Sequence, residues 1–284
     1  MTEFRVGEIK VTRLIESESP FLPISDMLPD ATPQAIDPYR QWLEPAALCS
    51  QTSRMILPVQ SYLVQTRHHL VLIDTCVGNH KSCGFFKPWH RMQGDSWPNA
   101  FQRTGFRPRD VDFVLCTHLH LDHCGWNTEL VNGIWHPTFE NARYLFDRTE
   151  YDHIASKGGA TFEQNIVPVM AAGRGVLVDG GYAIDDQVWL ESTPGHTPGH
   201  VAIHLRSAGS RAIMIGDIMH SPVQCEEPDW RCIADEDFSR ARLTRHRILE
   251  QYCETDMLIL TAHFPSPSIG FVVAGDCQYR FRYR

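Results

Sequence analysis

Three histidines and an aspartate occupy four of six consecutive positions near the middle of the chain: His118, His120, Asp122 and His123. They follow a short apolar run, residues 111–116, which is typical of a buried strand and too short for a helix. Imidazole and carboxylate groups are the ligands that proteins use for zinc and its first-row neighbours. A turn after a strand can direct several such side chains at one ion. The segment therefore predicts a metal site.

Three more residues of ligand type stand at the ends of later apolar runs: His196, Asp217 and His263. The pattern of a predicted strand followed by a potential metal ligand therefore occurs several times. Loops at the ends of strands commonly contain binding and catalytic residues. Asp74 also ends an apolar run. Asp74 could itself be a ligand, but the favoured prediction is that it orients a nearby imidazole or loop, because a ligating histidine commonly donates its second N–H to such a group.

The composition is that of a soluble globular protein, with 43% hydrophobic and 21% charged residues among 284. The net charge is −8 and no cluster of five Lys or Arg residues occurs. This balance argues against a nucleic-acid groove and against binding to an anionic membrane surface. No apolar run reaches transmembrane length. We therefore expect a small-molecule substrate, with no nucleic acid and no membrane as a partner.

The nine cysteines are scattered, and the first residues lack a basic start followed by an apolar stretch. We therefore expect no signal peptide, reduced thiols and a cytoplasmic location. Cys124 directly follows His123 and could touch the site. A small packing residue is the favoured interpretation of this thiol.

The pattern of the chain predicts more strands than helices. Residues 6–15 predict a first strand, and residues 55–65 with 70–74 predict a hairpin. Further short strands are predicted at 143–146, 176–178, 188–191, 201–205, 211–215, 257–261 and 269–274. Helices are predicted at 98–105, 147–154, 163–172 (interrupted at Pro168) and 235–254. The last helix is expected to bury Phe238, Leu243, Ile248 and Leu249 and to expose its charges.

Two segments fit neither pattern. Residues 17–50 are rich in Pro, Ser and Asp and predict an irregular arm, which could be functional or could mediate a homodimer. Residues 79–98 carry Phe85, Phe86 and Trp89 among glycines and prolines. These aromatic side chains either cover the core or, together with Trp126, form an aromatic wall that binds substrate over the metal site. No linker-like change of composition occurs, so residues 1–284 are expected to form a single domain.

The motif His118-x-His120-x-Asp122-His123, followed by Gly195-His196, Gly216-Asp217 and Ala262-His263, resembles the ordered motifs of the metallo-β-lactamase-fold hydrolases. The resemblance extends from Asp74 to His263. It implies an α+β fold, a four-layer αββα sandwich with a dinuclear site at one edge between the two sheets.

Carried over to this chain, the resemblance implies two divalent metal ions. His118, His120 and His196 would hold the first ion, and Asp122, His123 and His263 would hold the second. Asp217 would bridge both ions, and His200 would not be a ligand. Zinc is the favoured ion, with manganese, cobalt and iron as alternatives. In branches of the family that use one iron, Asp122 and His123 are left without metal.

Residues 216–224 resemble the same segment of methyl-parathion-hydrolase-like enzymes. The N-acyl-homoserine lactonases carry a tyrosine three residues after the bridging aspartate, and this chain has His220 there. We therefore predict that His220 contacts a substrate oxygen and serves as a catalytic and substrate-binding residue. The alternative is a histidine on the surface.

The predicted reaction is attack by a bridging hydroxide on a lactone or ester carbonyl. Two ions lower the pKa of a shared water, so no serine or cysteine nucleophile is needed; no Gly-x-Ser-x-Gly elbow is present. One metal and His220 would hold the oxyanion. Asp122 would move a proton to the leaving alkoxide.

Other activities of the family stay open. Hydrolysis of organophosphate triesters and hydrolytic dehalogenation are rivals in the same class, and β-lactam hydrolysis is less favoured. A mononuclear-iron persulfide dioxygenase is the rival from another class. Flavin-linked di-iron oxidases usually have Glu at the position of His120, and nucleases are disfavoured by the acidic balance. A non-catalytic metal-binding protein is the last alternative.

Overall fold

The computed structural model describes residues 2–275 and 278–284. Two compact units are distinguished: the first unit contains residues 2–16 and 59–182, and the second contains residues 17–58 and 183–284. The expectation of a single domain stays a prediction. The eight described cysteines are free thiols, whereas Cys277 lies outside the described residues. In the described part of the chain, no helix has the length and apolar character needed to cross a membrane.

The ten α-helices are short except for two. They are α1 (Ile24–Met27), α2 (Pro33–Ile36), α3 (Arg40–Leu43), α4 (Ser96–Gln102), α5 (Leu121–Cys124), α6 (Arg148–Lys157), α7 (Ala160–Asn165), α8 (Val167–Ala171), α9 (Val223–Glu226) and α10 (Phe238–Tyr252) among the described residues. Single 3₁₀ turns lie at Asp37–Tyr39, Lys87–Trp89, Pro108–Asp110, Gly125–Asn127 and Gly216–Ile218.

The strands of the first sheet and of one small hairpin come from the first two thirds of the chain. They are β1 (Glu3–Val6), β2 (Ile9–Pro23), β3 (Arg54–Gln65), β4 (Leu70–Ile73), β5 (Phe113–Leu115), β6 (Thr128–Val131), β7 (Ile134–Pro137), β8 (Arg143–Asp147) and β9 (Gly175–Val178). The sheet has the order β1-β2-β3-β4-β5-β8-β9, while β6 and β7 pair only with each other. Strands β4, β5, β8 and β9 are parallel. The carboxyl ends of β4 and β5 therefore lie side by side.

The second sheet lies within the second unit. Its strands are β10 (Val188–Ser192), β11 (Val201–Ser207), β12 (Ser210–Met214), β13 (Leu258–Leu260), β14 (Ile269–Ala274) and β15 (Tyr279–Tyr283), in that order. Only the β12–β13 pair is parallel among these described strands. Helix α10 contributes Ile248 and Leu249 to an apolar core that includes Ile213, Ile259 and Phe264.

The predicted first strand is in fact a hairpin. Strand β1 pairs antiparallel with β2 through the register Val6↔Ile9. The turn is possible because Gly7 has a φ of +57°, which costs glycine little. The predicted arm, residues 17–50, is more regular than expected, since β2 continues to Pro23 and is followed by α1, α2 and α3. The prediction missed β6, β7 and β15.

Helix α10 is confirmed, but its predicted inner face needs correction. Ile248 and Leu249 are fully buried, whereas Leu243 is 64% exposed and Phe238 is half-buried. The buried face consists of Ala241, Thr244, Arg245, Ile248, Leu249 and Tyr252. The spacing of three and four residues defines this face, and it places one charged residue inside the protein. The expectation that all charges of the helix are solvated was therefore wrong at Arg245.

Candidate metal centre

In the first unit, the parallel pairing of β4 and β5 brings Asp74 beside Thr117. The Asp74 Oδ1 atom accepts a hydrogen bond of 2.7 Å from the Thr117 backbone N–H, and the Thr117 hydroxyl lies 2.9 Å from Oδ2. Asp74 has a positive φ of +56°, a conformation that is uncommon for a residue with a Cβ and that recurs at functional sites. The two strand ends thus fix the start of the histidine motif.

The Asp74 carboxylate also fixes one of the histidines. Its Oδ2 atom lies 2.8 Å from Nδ1 of His123, and both side chains are buried. This contact leaves Nε2 as the nitrogen that can coordinate an ion. The prediction that Asp74 orients an imidazole is confirmed.

The remaining residues of the motif cluster around His123 within the same unit. The His118 and His123 rings are 4.1 Å apart between centroids, and Nε2 of His118 lies 3.0 Å from Nδ1 of His120. An Oδ2 atom of Asp122 lies 3.7 Å from Nε2 of His123. The six-residue motif therefore does bring its four ligand-type side chains together.

A half-buried glutamate that the sequence did not single out, Glu16, lies in the same unit. Glu16 accepts hydrogen bonds from the Val77 and Gly78 backbone N–H groups and from the Trp126 indole at 2.9, 3.2 and 2.7 Å. Burial raises the pKa of Glu16 to about 7, against these hydrogen bonds, and the charge of Asp122 adds to the increase. Glu16 directly follows the strand predicted at residues 6–15, and no pattern in the sequence marked it as a candidate site residue.

In the second unit, Asp217 is the centre of a cluster of imidazoles. Nε2 of His220 and Nε2 of His263 each lie 3.1 Å from an Asp217 carboxylate oxygen, and Nε2 of His196 lies 3.4 Å away. All four side chains are buried. Asp217 lies in the turn that follows β12, while His196 and His263 follow β10 and β13.

Hydrogen bonds at the opposite ring nitrogens orient two of these imidazoles. Nδ1 of His196 lies 3.1 Å from Oδ1 of Asp235, and Nδ1 of His263 lies 2.8 Å from the Pro58 carbonyl oxygen. Burial alone would raise the pKa of Asp235, but the hydrogen bond from His196 and the surrounding positive groups lower it. Both imidazoles are held with Nε2 toward the Asp217 carboxylate, which is the arrangement of metal-ligating histidines.

His220 belongs to this cluster more closely than the sequence indicated. His196, Asp217 and His220 place their ligand atoms within 4.8 Å of one another, a group that could hold a metal ion. Burial lowers the pKa of His220, but Cys232 and Asp217 raise it more, so the pKa stands well above its usual value. The alternative of a surface histidine is wrong, since His220 is only 2% exposed.

The donor sets of the two units suit divalent metal. Each set combines buried imidazoles with a carboxylate, and each has an outer carboxylate, Asp74 or Asp235, that orients one ring. Buried charges of this kind need compensation by an ion or by close partners. Imidazole and carboxylate together are the donors that zinc prefers in catalytic sites.

Both ring nitrogens of His200 contact protein groups, so it is not placed to bind a metal ion, as predicted. Its Nε2 atom accepts a hydrogen bond of 3.0 Å from the Asp217 backbone N–H, and its Nδ1 atom lies 2.8 Å from the Thr193 hydroxyl. His200 therefore supports the backbone of Asp217. Cys124 is likewise a packing residue, with its thiol fully buried and directed at the Leu119 carbonyl oxygen.

The aromatic residues predicted to bind substrate differ in exposure. Phe85 is 67% exposed and packs edge to face on Trp89, as Phe86 does, whereas Trp89 is buried. Trp126 is also buried and stacks on Trp97 with ring centroids 5.2 Å apart. A substrate contact by Phe85, Phe86, Trp89 or Trp126 stays a prediction.

Comparison with known proteins gives a family match and several relatives. The sequence pattern of the metallo-beta-lactamase superfamily matches residues 55–251. An N-acyl homoserine lactonase of Bacillus thuringiensis is 28% identical over 173 residues, which cover 56% of this chain and 62% of that protein. The N-acyl homoserine lactonase AttM of Agrobacterium fabrum is 28% identical over 119 residues, or 39% of this chain and 42% of that protein. The chain thus aligns with less than two thirds of these relatives.

Two solved structures share the fold over nearly the whole chain. The hydrolase AbOPH, described as a member of the beta lactamase superfamily, has a TM-score of 0.83 at 24% identity and covers 99% of this chain and 96% of its own. AidC, a dizinc quorum-quenching lactonase in complex with a homoserine product, has a TM-score of 0.81 at 19% identity and covers the same shares. At these identities the likeness concerns the fold alone.

Proposed function

Because the chain belongs to the metallo-beta-lactamase superfamily, we propose that it is a metal-dependent hydrolase of lactones or esters. The fold class inferred from the motifs is confirmed by the family match and by AbOPH. The observation that carries the proposal is the convergence of three imidazole Nε2 atoms on the buried Asp217 carboxylate. The lactonase relatives favour a lactone as the substrate.

We propose that the ligands are those implied by the motifs. His118, His120 and His196 would hold one ion, Asp122, His123 and His263 would hold a second, and Asp217 would serve both. Zinc is the proposed metal, supported by the donor chemistry of both units. When bound, such ions lower the pKa of a water to about 7 and polarise the substrate carbonyl.

The side chains of this protein would supply the remaining steps. Asp122 would accept a proton and deliver it to the leaving alkoxide. His220 would hold the substrate carbonyl oxygen, since its buried ring lies beside Asp217. Asp74 and Asp235 would keep the rings of His123 and His196 in one orientation and one tautomer.

The test combines metal analysis with a hydrolysis screen. The purified full chain is assayed for metal, and lactones, aryl esters and phosphotriesters are offered before and after chelation. We expect about two zinc ions per chain and lactone hydrolysis that is lost with the metal and restored by zinc. If phosphotriesters are hydrolysed faster than lactones and esters, phosphotriesters would be the substrate class instead. One iron per chain without hydrolysis would replace the proposal by the persulfide dioxygenase, and full activity of the chelated protein would refute the mechanism.

Two substitutions test the residue roles. Asp122→Asn is expected to lower turnover strongly, and His220→Ala to lower it by about 10²–10³-fold if the ring holds the developing oxyanion. His68→Ala is the matched control, because His68 is exposed in the turn between β3 and β4. Wild-type turnover by His220→Ala on the best substrate would remove His220 from the mechanism.

We also propose a cytoplasmic location and a homodimer, each with its own test. The eight free thiols among the described cysteines favour a reducing compartment. Residues 17–50 carry Trp42, which is 37% exposed and would suit a contact between two copies. Light scattering on wild type and on Trp42→Glu tests the dimer. A monomeric wild type would rule it out.

A further inference from the structure

We propose that Arg245 is a positioning residue of the metal centre, holding the proposed ligands His196 and Asp217 in the geometry that binds metal and His220 in its place beside them. The inference rests on the proposed function, since it concerns the same site. Arg245 lies on the buried face of α10, and its side chain is fully buried. A buried guanidinium is costly unless its donors are satisfied, so its partners indicate what it is there to hold.

The guanidinium donates to three separate segments of the second unit. Nε donates to the Ile218 carbonyl oxygen at 2.9 Å. Nη1 donates to the Pro228 and Trp230 carbonyl oxygens, both at 2.8 Å. Nη2 donates to Oδ2 of Asp235 at 3.2 Å. One rigid fork thus ties together the turn after β12, residues 228–230 and the Asp235 carboxylate.

The first connection to the site passes through Asp235. This carboxylate accepts from Arg245 on Oδ2 and faces Nδ1 of His196 on Oδ1, at 3.1 Å. Arg245 therefore fixes the plane of the carboxylate that orients the His196 ring. The Oδ2 atom also accepts from the Cys232 backbone N–H at 3.2 Å, so loss of the guanidinium leaves it one neutral donor. The charged donor is then missing, and the carboxylate sets the direction of Nε2 of His196 less firmly.

The second connection passes through the backbone near Asp217 and His220. Ile218, which directly follows Asp217, is held by its carbonyl oxygen. The Trp230 carbonyl oxygen that Arg245 binds also accepts a hydrogen bond of 3.1 Å from the Gln224 amide. The other end of that amide accepts from the His220 backbone N–H at 2.7 Å.

Helix α10 holds the His196 loop directly as well, which makes it a rigid support for the site. The Thr244 hydroxyl donates to the Pro194 carbonyl oxygen at 2.7 Å. A Cβ on Gly195 would lie 2.2 Å from the Ala241 backbone nitrogen, so only glycine permits this approach. Sites supported by a helix in this manner keep their geometry better than sites on loops alone.

The test measures zinc binding by the metal-free full chain in competition with a chromogenic chelator. Arg245→Met keeps the length and removes the fork, and Arg245→Lys keeps the charge. Both are expected to lower zinc affinity by about 10–100-fold, as loss of outer hydrogen-bond partners does. Arg247→Met is the matched control on the same helix, since Arg247 is 43% exposed and pairs with Glu191. Its zinc affinity is expected to match that of wild type.

A double variant separates positioning from stability alone. If Arg245 acts through Asp235, adding Arg245→Lys to Asp235→Asn lowers zinc affinity by less than the product of the single effects. Circular dichroism and thermal unfolding of the metal-free proteins identify the folded variants. A folded Arg245→Lys with wild-type zinc affinity overturns the proposal, even if its unfolding temperature is lower. A wild-type chain that binds no zinc overturns the proposed function itself. If the wild-type chain binds zinc and the folded Arg245→Lys binds it equally well, only the proposal for Arg245 fails.

Discussion

The Nδ1 atom of His123 lies 2.8 Å from Oδ2 of Asp74, forty-nine positions away in the chain. The same carboxylate receives the backbone N–H and the hydroxyl of Thr117, at the start of the histidine motif. One buried carboxylate thus fixes the backbone of the motif and the ring of one of its histidines. This relationship predicts a direct effect of Asp74 on metal binding.

Asp74→Asn is expected to lower zinc affinity by about 10–100-fold, since the weaker amide acceptor no longer fixes the tautomer of His123. Titration of the metal-free variant with zinc checks this. Asp112→Asn is the control, because Asp112 is half-exposed and contacts the start of β4: its Oδ2 atom accepts from the Leu70 N–H and lies 4.0 Å from Nδ1 of His69. Equal zinc affinities of Asp74→Asn and wild type would contradict the role of Asp74.

The stability of the metal-free protein is expected to depend on the ionisation of Glu16. Its pKa is about 7 in the folded protein and 4.5 when unperturbed. Between these values the folded state binds more protons than the unfolded state, so stability falls as the pH rises. The contribution is fully present below pH 4.5 and is lost as the pH rises through 7.

Glu16→Gln removes this ionisation and is expected to flatten the decline of unfolding free energy between pH 4.5 and 7. Urea unfolding of the metal-free proteins at several pH values measures it. Glu8→Gln, an exposed position in the turn between β1 and β2, serves as the control and should keep the wild-type slope. An unchanged slope in Glu16→Gln would show that Glu16 titrates in the ordinary range.

Gly195→Ala is expected to destabilise the protein by about 2 kcal/mol or more, because overpacking adds to a strained backbone. The added Cβ would overlap the α10 backbone, and Gly195 has a φ of +138°. Denaturant unfolding measures the loss. Gly84→Ala is the control, since no described atom lies within 4 Å of a Cβ there. If Gly195→Ala were as stable as wild type, the close approach of the helix would be disproved.

The corrected face of α10 can be tested by two truncations on one helix. Ile248→Ala is expected to cost about 2–5 kcal/mol, because it opens a cavity in the core. Leu243→Ala is expected to change the unfolding free energy by less than about 0.5 kcal/mol, since Leu243 is 64% exposed. Chemical denaturation of both variants measures the two losses. A loss in Leu243→Ala as large as that in Ile248→Ala would restore the face predicted from the sequence, which placed both residues inside.

The sequence by itself determined which residues are of ligand type and that they follow buried strands. Four candidates stand within six positions after an apolar run, and β5, β10, β12 and β13 lie where apolar runs predicted strands. Strand periodicity and ligand chemistry are local properties, so they can be read without knowing the fold. The order of the motifs was enough to indicate the superfamily, which the family match confirms.

Only the tertiary structure decided which outer groups hold these residues. Asp235 lies thirty-nine positions from His196, and Arg245 lies ten positions beyond Asp235. No sequence periodicity links His196, Asp235 and Arg245. The residue type alone does not show whether an arginine is buried or exposed to solvent. The assignment of Leu243 to the inner face failed for a related reason, since its own hydrophobicity cannot show which side of a helix meets the core. Long-range pairing and burial depend on how the helices and strands pack in the tertiary structure. A local pattern in the sequence does not determine that packing.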